Sequence, residues 1–126
     1  TIKAKWLEDA LIVDGTTENG HFATLADALA VAKEGDVISI DMVAYKDGFN
    51  GDAARTFFCG NVTEAAKRLE QFTRESFYEG IKFAKLGYRL SDISHAIQAH
   101  VEKHGFSVVR DLVGHGVGVD LHEDPQ

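Results

Sequence analysis

Asp41 stands inside the run Val37-Ile38-Ser39-Ile40-Asp41-Met42-Val43, where most of its neighbours are apolar. A carboxylate in the middle of an apolar strand is costly unless it is paired or bound to a cation. A second carboxylate, Asp52, follows eleven residues later, with Asp47-Gly48 between them. Asp-Gly is the signal of a two-residue hairpin turn, because both positions accept positive φ. That turn places Lys46 opposite Phe49, Val43 opposite Asp52 and Asp41 opposite Ala54. Asp41 and Asp52 then share one face as diagonal neighbours, about 7–8 Å apart at Cα. Two carboxylates that close repel each other. A divalent cation with oxygen ligands at about 2.0–2.2 Å removes the repulsion. The bland alternative makes Asp52 a loop residue and lets a bulge turn Asp41 to solvent. Asp47 itself is read as a turn former.

His115 lies in Gly114-His115-Gly116-Val117-Gly118, and His122 follows in Leu121-His122-Glu123-Asp124-Pro125. The flanking glycines let backbone and side chain approach a bound group closely. A separation of seven is odd, so a straight strand sends the two imidazoles to opposite faces. A bend at Gly116 or Gly118 brings them together; a plain turn is the competing reading. His95 and His100 fall on a helix at a spacing of five, which is poor for a helical ligand pair, and are read as packing or surface residues. His104, at that helix's C-terminal end, is read as a favourable dipole partner. Cys59 is read as a small hydrophobe at a strand end.

The elements that must position these groups follow from periodicity and caps. Thr1–Trp6 and Leu11-Ile12-Val13 read as strands, and Asp14–Gly20 as a turn-rich loop. Thr24 reads as an N-cap with Asp27 three residues on, opening a short helix that Gly35 stops. Val37–Tyr45 and Phe49–Cys59 form the hairpin. Thr63 caps a long helix to about Ala84. Ser91 caps a second from Asp92 to about His104, ended by Gly105, and Phe106–Arg110 reads as a last strand. This order predicts an α+β fold, an antiparallel sheet with helices packed on one face.

Composition bounds the rest. At 126 residues the length is that of one domain, with 44% hydrophobic and 26% charged residues. A net charge of −7 without a basic stripe argues against a nucleic-acid partner. No apolar run approaches the roughly 18 residues of a membrane span, and no signal-peptide core follows Thr1. One cysteine, Cys59, excludes an internal disulfide.

Taken together, several stretches resemble one family. These are Gly35–Asp41, Lys46–Asp52, Arg55-Thr56-Phe57, Gly105–Arg110, Gly114–Gly118 and His122–Gln126. From about Gly35 to Gln126 the chain resembles type I methionine aminopeptidases of the pita-bread metallohydrolase class. Residues 1–34 are expected to be a strand-loop-helix segment outside that resemblance, with residues 35–126 an aminopeptidase-like half-domain. His21, in Gly20-His21-Phe22, receives no role. The resemblance implies that Asp41, Asp52 and His115 are metal ligands, with Asp52 bridging two ions. It implies that His122 hydrogen-bonds the substrate and the tetrahedral intermediate. The implied reaction is hydrolytic removal of N-terminal methionine from peptides, in the cytoplasm, with two divalent ions drawn from Co, Mn, Fe or Zn. The implied partners are peptide N-termini beginning with Met, with neither nucleic acid nor membrane.

The family also uses two glutamate ligands after the His122 motif, one of them the general base. After His115 the only glutamate is Glu123. The chain is therefore expected to hold three of five ligands and, as a separate polypeptide, to be inactive. Pairing with a carboxy-terminal half, or self-association that builds a shared site, is the expected remedy. A non-catalytic metal-binding or structural domain, or a chimera containing the half-fold, is the alternative.

Overall fold

The computed structural model describes residues 10–13 and 22–125. The expected strand Thr1–Trp6, the loop Asp14–Gly20 and His21 lie outside the described residues. The elements are β1 (Ala10–Val13), α1 (Leu25–Val31), β2 (Val37–Lys46), β3 (Phe49–Phe58), α2 (Glu64–Ile81) and α3 (Leu90–Lys103). The fold is α+β. Residues 63–109 form one compact unit, and residues 10–62 with 110–125 form another.

The sheet of the second unit has the order β1-β2-β3. β1 runs parallel to β2, Ala10 opposite Val37, and β2 runs antiparallel to β3. A parallel pair needs a crossover, which the segment carrying α1 supplies. The hairpin forms as its turn dictates. Asp47 has φ 54° and Gly48 φ 89°, the two positive values of a tight hairpin turn. Lys46 then lies opposite Phe49, and the ladder runs without a bulge to Val37 opposite Phe58.

α1 starts where the Thr24 hydroxyl accepts the Asp27 N–H at 3.2 Å. It ends at Val31, earlier than Gly35. Gly35 (φ 95°) instead turns the chain into β2, its N–H donating to the Cys59 carbonyl at 2.7 Å. Ala28 and Ile38 are buried together, with Phe22, Ala32, Ile40 and Cys59 packed around them. Cys59 thus fills core space, as its residue type suggests. Burial fades at Ile40, and Asp41 to Lys46 are exposed. Asp41 is therefore not embedded in a buried strand. Seven helical residues span only about 10 Å, enough to cover the Ile38 end of the hairpin and no more.

The helical unit is a pair of packed helices. The Thr63 hydroxyl caps α2 by accepting the Ala66 N–H at 3.2 Å. α2 stops at Ile81, short of Ala84. Gly80 lets α3 approach: a Cβ there would stand 2.7 Å from Ile97 Cγ1. α3 begins at Leu90 rather than after Ser91, because the Asp92 carboxylate accepts the Arg89 N–H at 2.7 Å and moves the cap back two residues. Gly105, at φ 83°, follows its end. His104 donates from Nδ1 to the His100 carbonyl (2.8 Å) and stacks on Phe72, with ring centroids 3.8 Å apart. Phe106–Arg110 is not a strand. The Phe106 N–H closes the end of α3 by donating to the Val101 carbonyl at 3.0 Å, and its ring sits 6.0 Å from that of Phe72. The segment's first donor is thus taken by the helix rather than by a neighbouring strand.

Candidate metal centre

Side chains alternate along a strand, so Asp41 and Val43 share a face of β2. Asp52 lies opposite Val43, which puts both carboxylates on that face. Asp41, Asp52 and His122 line one cleft of about 610 Å³, together with Thr24, Met42 and Leu121.

His115 reaches the carboxylate of Asp52 from the loop after residue 109. Its Nε2 lies 3.7 Å from Asp52 Oδ2, with the two side chains 21% and 27% exposed. Its Nδ1 lies 3.0 Å from the Gly116 carbonyl. A carbonyl can only accept, so Nδ1 carries a proton and donates it there. In the neutral imidazole, Nε2 then turns a bare lone pair toward Asp52. Two acceptors facing each other at this distance share no hydrogen bond. They suit a cation, since two donors at about 2.1 Å from one ion can stand up to about 4.2 Å apart. The Gly116 carbonyl plays the outer partner that fixes a ligand histidine's tautomer.

His122 joins them because the chain folds back. The Gly116 N–H donates to the Glu123 carbonyl at 2.8 Å, and the Glu123 N–H returns a bond to the Gly116 carbonyl at 2.9 Å. The odd separation then no longer sends the rings apart; their centroids are 4.3 Å from each other. Gly116 is forced, since a Cβ there would meet the Asp124 carbonyl oxygen at 2.7 Å. At Gly118 a Cβ would meet the end of the Glu123 side chain at 2.7 Å, and that carboxylate accepts the Asp120 N–H at 2.8 Å.

Among the described residues, no three His, Cys, Asp or Glu side chains converge closely enough to hold an ion. Asp52 and His115 face each other at 3.7 Å, and Asp41 stands further along the same face. One residue of the site carried no functional signal in the sequence. Asn50 donates its backbone N–H to the Gly118 carbonyl (2.7 Å) and its Nδ2 to the carbonyls of Gly118 (3.2 Å) and Val119 (2.9 Å). An asparagine beside a glycine reads as a turn former, and these partners lie 68 and 69 residues away.

Residues 11–126 match the model of metallopeptidase family M24. The chain belongs to that family. It is 57% identical over 96 residues to methionine aminopeptidase 1 of Bacillus subtilis strain 168, covering 76% of this chain and 39% of that protein. It is 53% identical over 96 residues to a methionine aminopeptidase of Clostridium acetobutylicum, covering 76% of this chain and 38% of the relative. The crystal structure of the Thermotoga maritima methionine aminopeptidase superposes with a TM-score of 0.71 at 53% identity, over 75% of this chain and 38% of that one. The chain thus spans about two-fifths of the length of these relatives. Within M24, the hairpin and the residue 110–125 loop are part of a pita-bread aminopeptidase fold. As the family is one of metallopeptidases, a divalent ion is the group to test against Asp52 and His115, and their chemistry fits it.

Proposed function

We propose that the protein removes the N-terminal methionine from peptides by metal-dependent hydrolysis of the first peptide bond. The observation that carries this reading is the Asp52–His115 pair of an M24 chain. The Gly116 carbonyl takes the Nδ1 proton of the imidazole, so Nε2 is the nitrogen that faces the carboxylate, across 3.7 Å. Asp41, Asp52 and His115 are the residues that would hold two divalent ions. A mixed set of carboxylate and imidazole suits Mn, Co, Fe or Zn. Bound there, such ions supply activation of a water and polarisation of the scissile carbonyl. The chain's own contribution is placement. The hairpin turns both carboxylates to one face, and the folded loop brings two imidazoles beside them.

His122 is read as a substrate residue. Its ring lines the cleft beside Asp41 and Asp52, where an imidazole can hydrogen-bond a peptide carbonyl and stabilise the oxygen that gains charge. The apolar lining from Met42 and Leu121 suits an unbranched thioether side chain. Substrates of this kind are the free ends of nascent chains, and the cytoplasm is the compartment proposed for the activity.

The test is release of methionine from a Met-Ala-Ser peptide by the full-length protein that carries residues 1–126, stripped with a chelator and then resupplied with Mn²⁺ or Co²⁺. Turnover should return with the metal, favour Met over Leu or Lys at the first position, and vanish in His115→Ala. Metal-independent turnover, or turnover indifferent to His115, overturns the reading.

A further inference from the structure

We infer that Asn50 is a positioning residue that fixes the His115 loop onto the hairpin and so sets the affinity of the Asp52–His115 pair for a divalent cation. The inference rests on the metal reading above. It concerns a residue to which that reading gives no role.

In a two-residue hairpin, the residues flanking the turn form the hydrogen-bonded pair. Here these are Lys46 and Phe49, so Asn50 aims its backbone N–H away from β2, at the free edge of β3. The Gly118 carbonyl takes that N–H at 2.7 Å. The side-chain amide, on the same face as Asp52, adds donors to the carbonyls of Gly118 and Val119 at 3.2 and 2.9 Å. All three bonds go to the tip of the loop, while His115 and His122 stand at its base.

The loop between tip and base is braced. The paired bonds of Gly116 and Glu123 close its neck, and the Glu123 carboxylate fills it by accepting the Asp120 N–H. At Gly116 a Cβ has no room against the Asp124 and Glu123 backbone. A stiff loop held at its tip two residues from Asp52 transmits that hold to the imidazole at its base. Without the Asn50 amide, two of the three bonds that hold the loop to β3, and with it the 3.7 Å separation of His115 Nε2 and Asp52 Oδ2, are gone. Outer partners of this kind typically change metal affinity by about 10- to 100-fold when removed.

The test measures Co²⁺ binding to the metal-free protein by its visible absorption, without any activity assay. Asn50→Leu keeps the branched shape, adds no charge and removes both side-chain donations; Asn50→Ala shortens the side chain as well. Each should weaken Co²⁺ binding by about 10-fold or more while the metal-free far-ultraviolet spectrum and melting temperature stay those of the parent. Parental affinity in both variants overturns the inference.

Asp52→Ala separates the two failures. If it keeps full Co²⁺ binding, the metal reading itself is wrong. If it loses binding while the Asn50 variants keep it, the role of Asn50 alone is wrong. A measurement on the unaltered protein covers the case of variants that do not fold. Coupling is reciprocal, so Zn²⁺ must strengthen the Asn50 tie as much as the tie strengthens Zn²⁺ binding. Hydrogen exchange of the Asn50 Nδ2 protons should slow by about 10-fold with Zn²⁺. The Gln98 amide, bonded to Glu102 in the helical unit, should not change. Unchanged exchange at Asn50 also overturns the inference.

Discussion

Each compact unit holds one histidine facing a carboxylate, and the two pairs do opposite things. In the helical unit, His100 Nε2 lies 3.3 Å from Glu75 Oε2, close enough for an ion pair but without hydrogen-bond alignment. Around it are rings: Phe72 at 6.2 Å and His104 at 4.6 Å between centroids. In the sheet unit, His115 stands at a longer 3.7 Å from Asp52 and beside a cleft lined with two more site residues. The shorter contact is the structural one. What marks the other is the company it keeps: a second carboxylate on the same face and a carbonyl that fixes the tautomer. Distance between opposite groups is a poor guide to function. The number of further ligand-type groups converging on the same space is a better one.

The sharpest way to break this contrast is to remove one member of each pair. In the full-length protein that carries residues 1–126, Asp52→Ala or His115→Ala should bring methionine release to background and abolish saturable Mn²⁺ or Co²⁺ binding. His100→Ala should leave both unchanged and instead destabilise the helical unit by about 1 kcal/mol, the usual scale for losing a packed side chain. The measurements are peptide turnover, metal titration and thermal unfolding on the same preparations. A collapse of metal binding in His100→Ala would mean that the two pairs are coupled.

Polypeptide 1–126, prepared by itself, should bind a divalent ion weakly and release little methionine. Hydrolysis needs a base to take the proton of the attacking water. Glu123 is the glutamate nearest the histidines in sequence, and its carboxylate is already held by the Asp120 N–H at 2.8 Å. Robust turnover that depends on His115 would show instead that two copies of this polypeptide complete one site between them.

The two regions also differed in how openly the sequence announced them. Register in the hairpin was fully legible, because Asp47-Gly48 is a local signal and every later pairing follows by counting. The caps at Thr24 and Thr63 were legible for the same reason. The start of α3 was misplaced since Ser91 and Asp92 compete for one job, and the longer carboxylate reached the Arg89 N–H first. Phe106–Arg110 has the residue types of a strand, but its Phe106 N–H is spent on the end of α3. The Asn50 tie was invisible because nothing local separates an asparagine that turns a chain from one that holds a loop 68 residues away.

Glycines give a finer version of the same contrast. In Gly116→Ala the new Cβ meets backbone, the carbonyl oxygens of Asp124 at 2.7 Å and Glu123 at 3.0 Å, which cannot step aside. The neck of the loop must open, so a loss of about 1–3 kcal/mol in stability should come with weaker metal binding. In Gly80→Ala the Cβ meets the Ile97 side chain at 2.7 and 2.9 Å. That side chain can change rotamer, so the cost should fall on helix packing alone, with metal affinity unaltered. Calorimetry and Co²⁺ titration on both variants decide it: equal metal affinities would mean that the loop neck does not hold His115.

The smallest effect belongs to the surface of the helical unit. The Glu79 carboxyl is held below the usual carboxylate range, first by the hydrogen bond that Lys82 donates to it, with desolvation opposing and the charges of Lys82 and His100 adding to the lowering. A carboxyl whose folded pKa is depressed contributes stability above its unfolded pKa, and that contribution fades as the pH falls through the folded value. The melting temperature of the parent should therefore drop slightly more than that of Glu79→Gln between pH 5 and pH 3, values that bracket the ordinary carboxylate pKa of about 4.3. Salt should shrink the difference, because both side chains reach solvent and their charges are screened. Metal affinity measured at neutral pH should be the same in both proteins. An acid-induced difference that grew with added metal would tie this surface pair to the Asp52–His115 pair, and the two regions would no longer be independent.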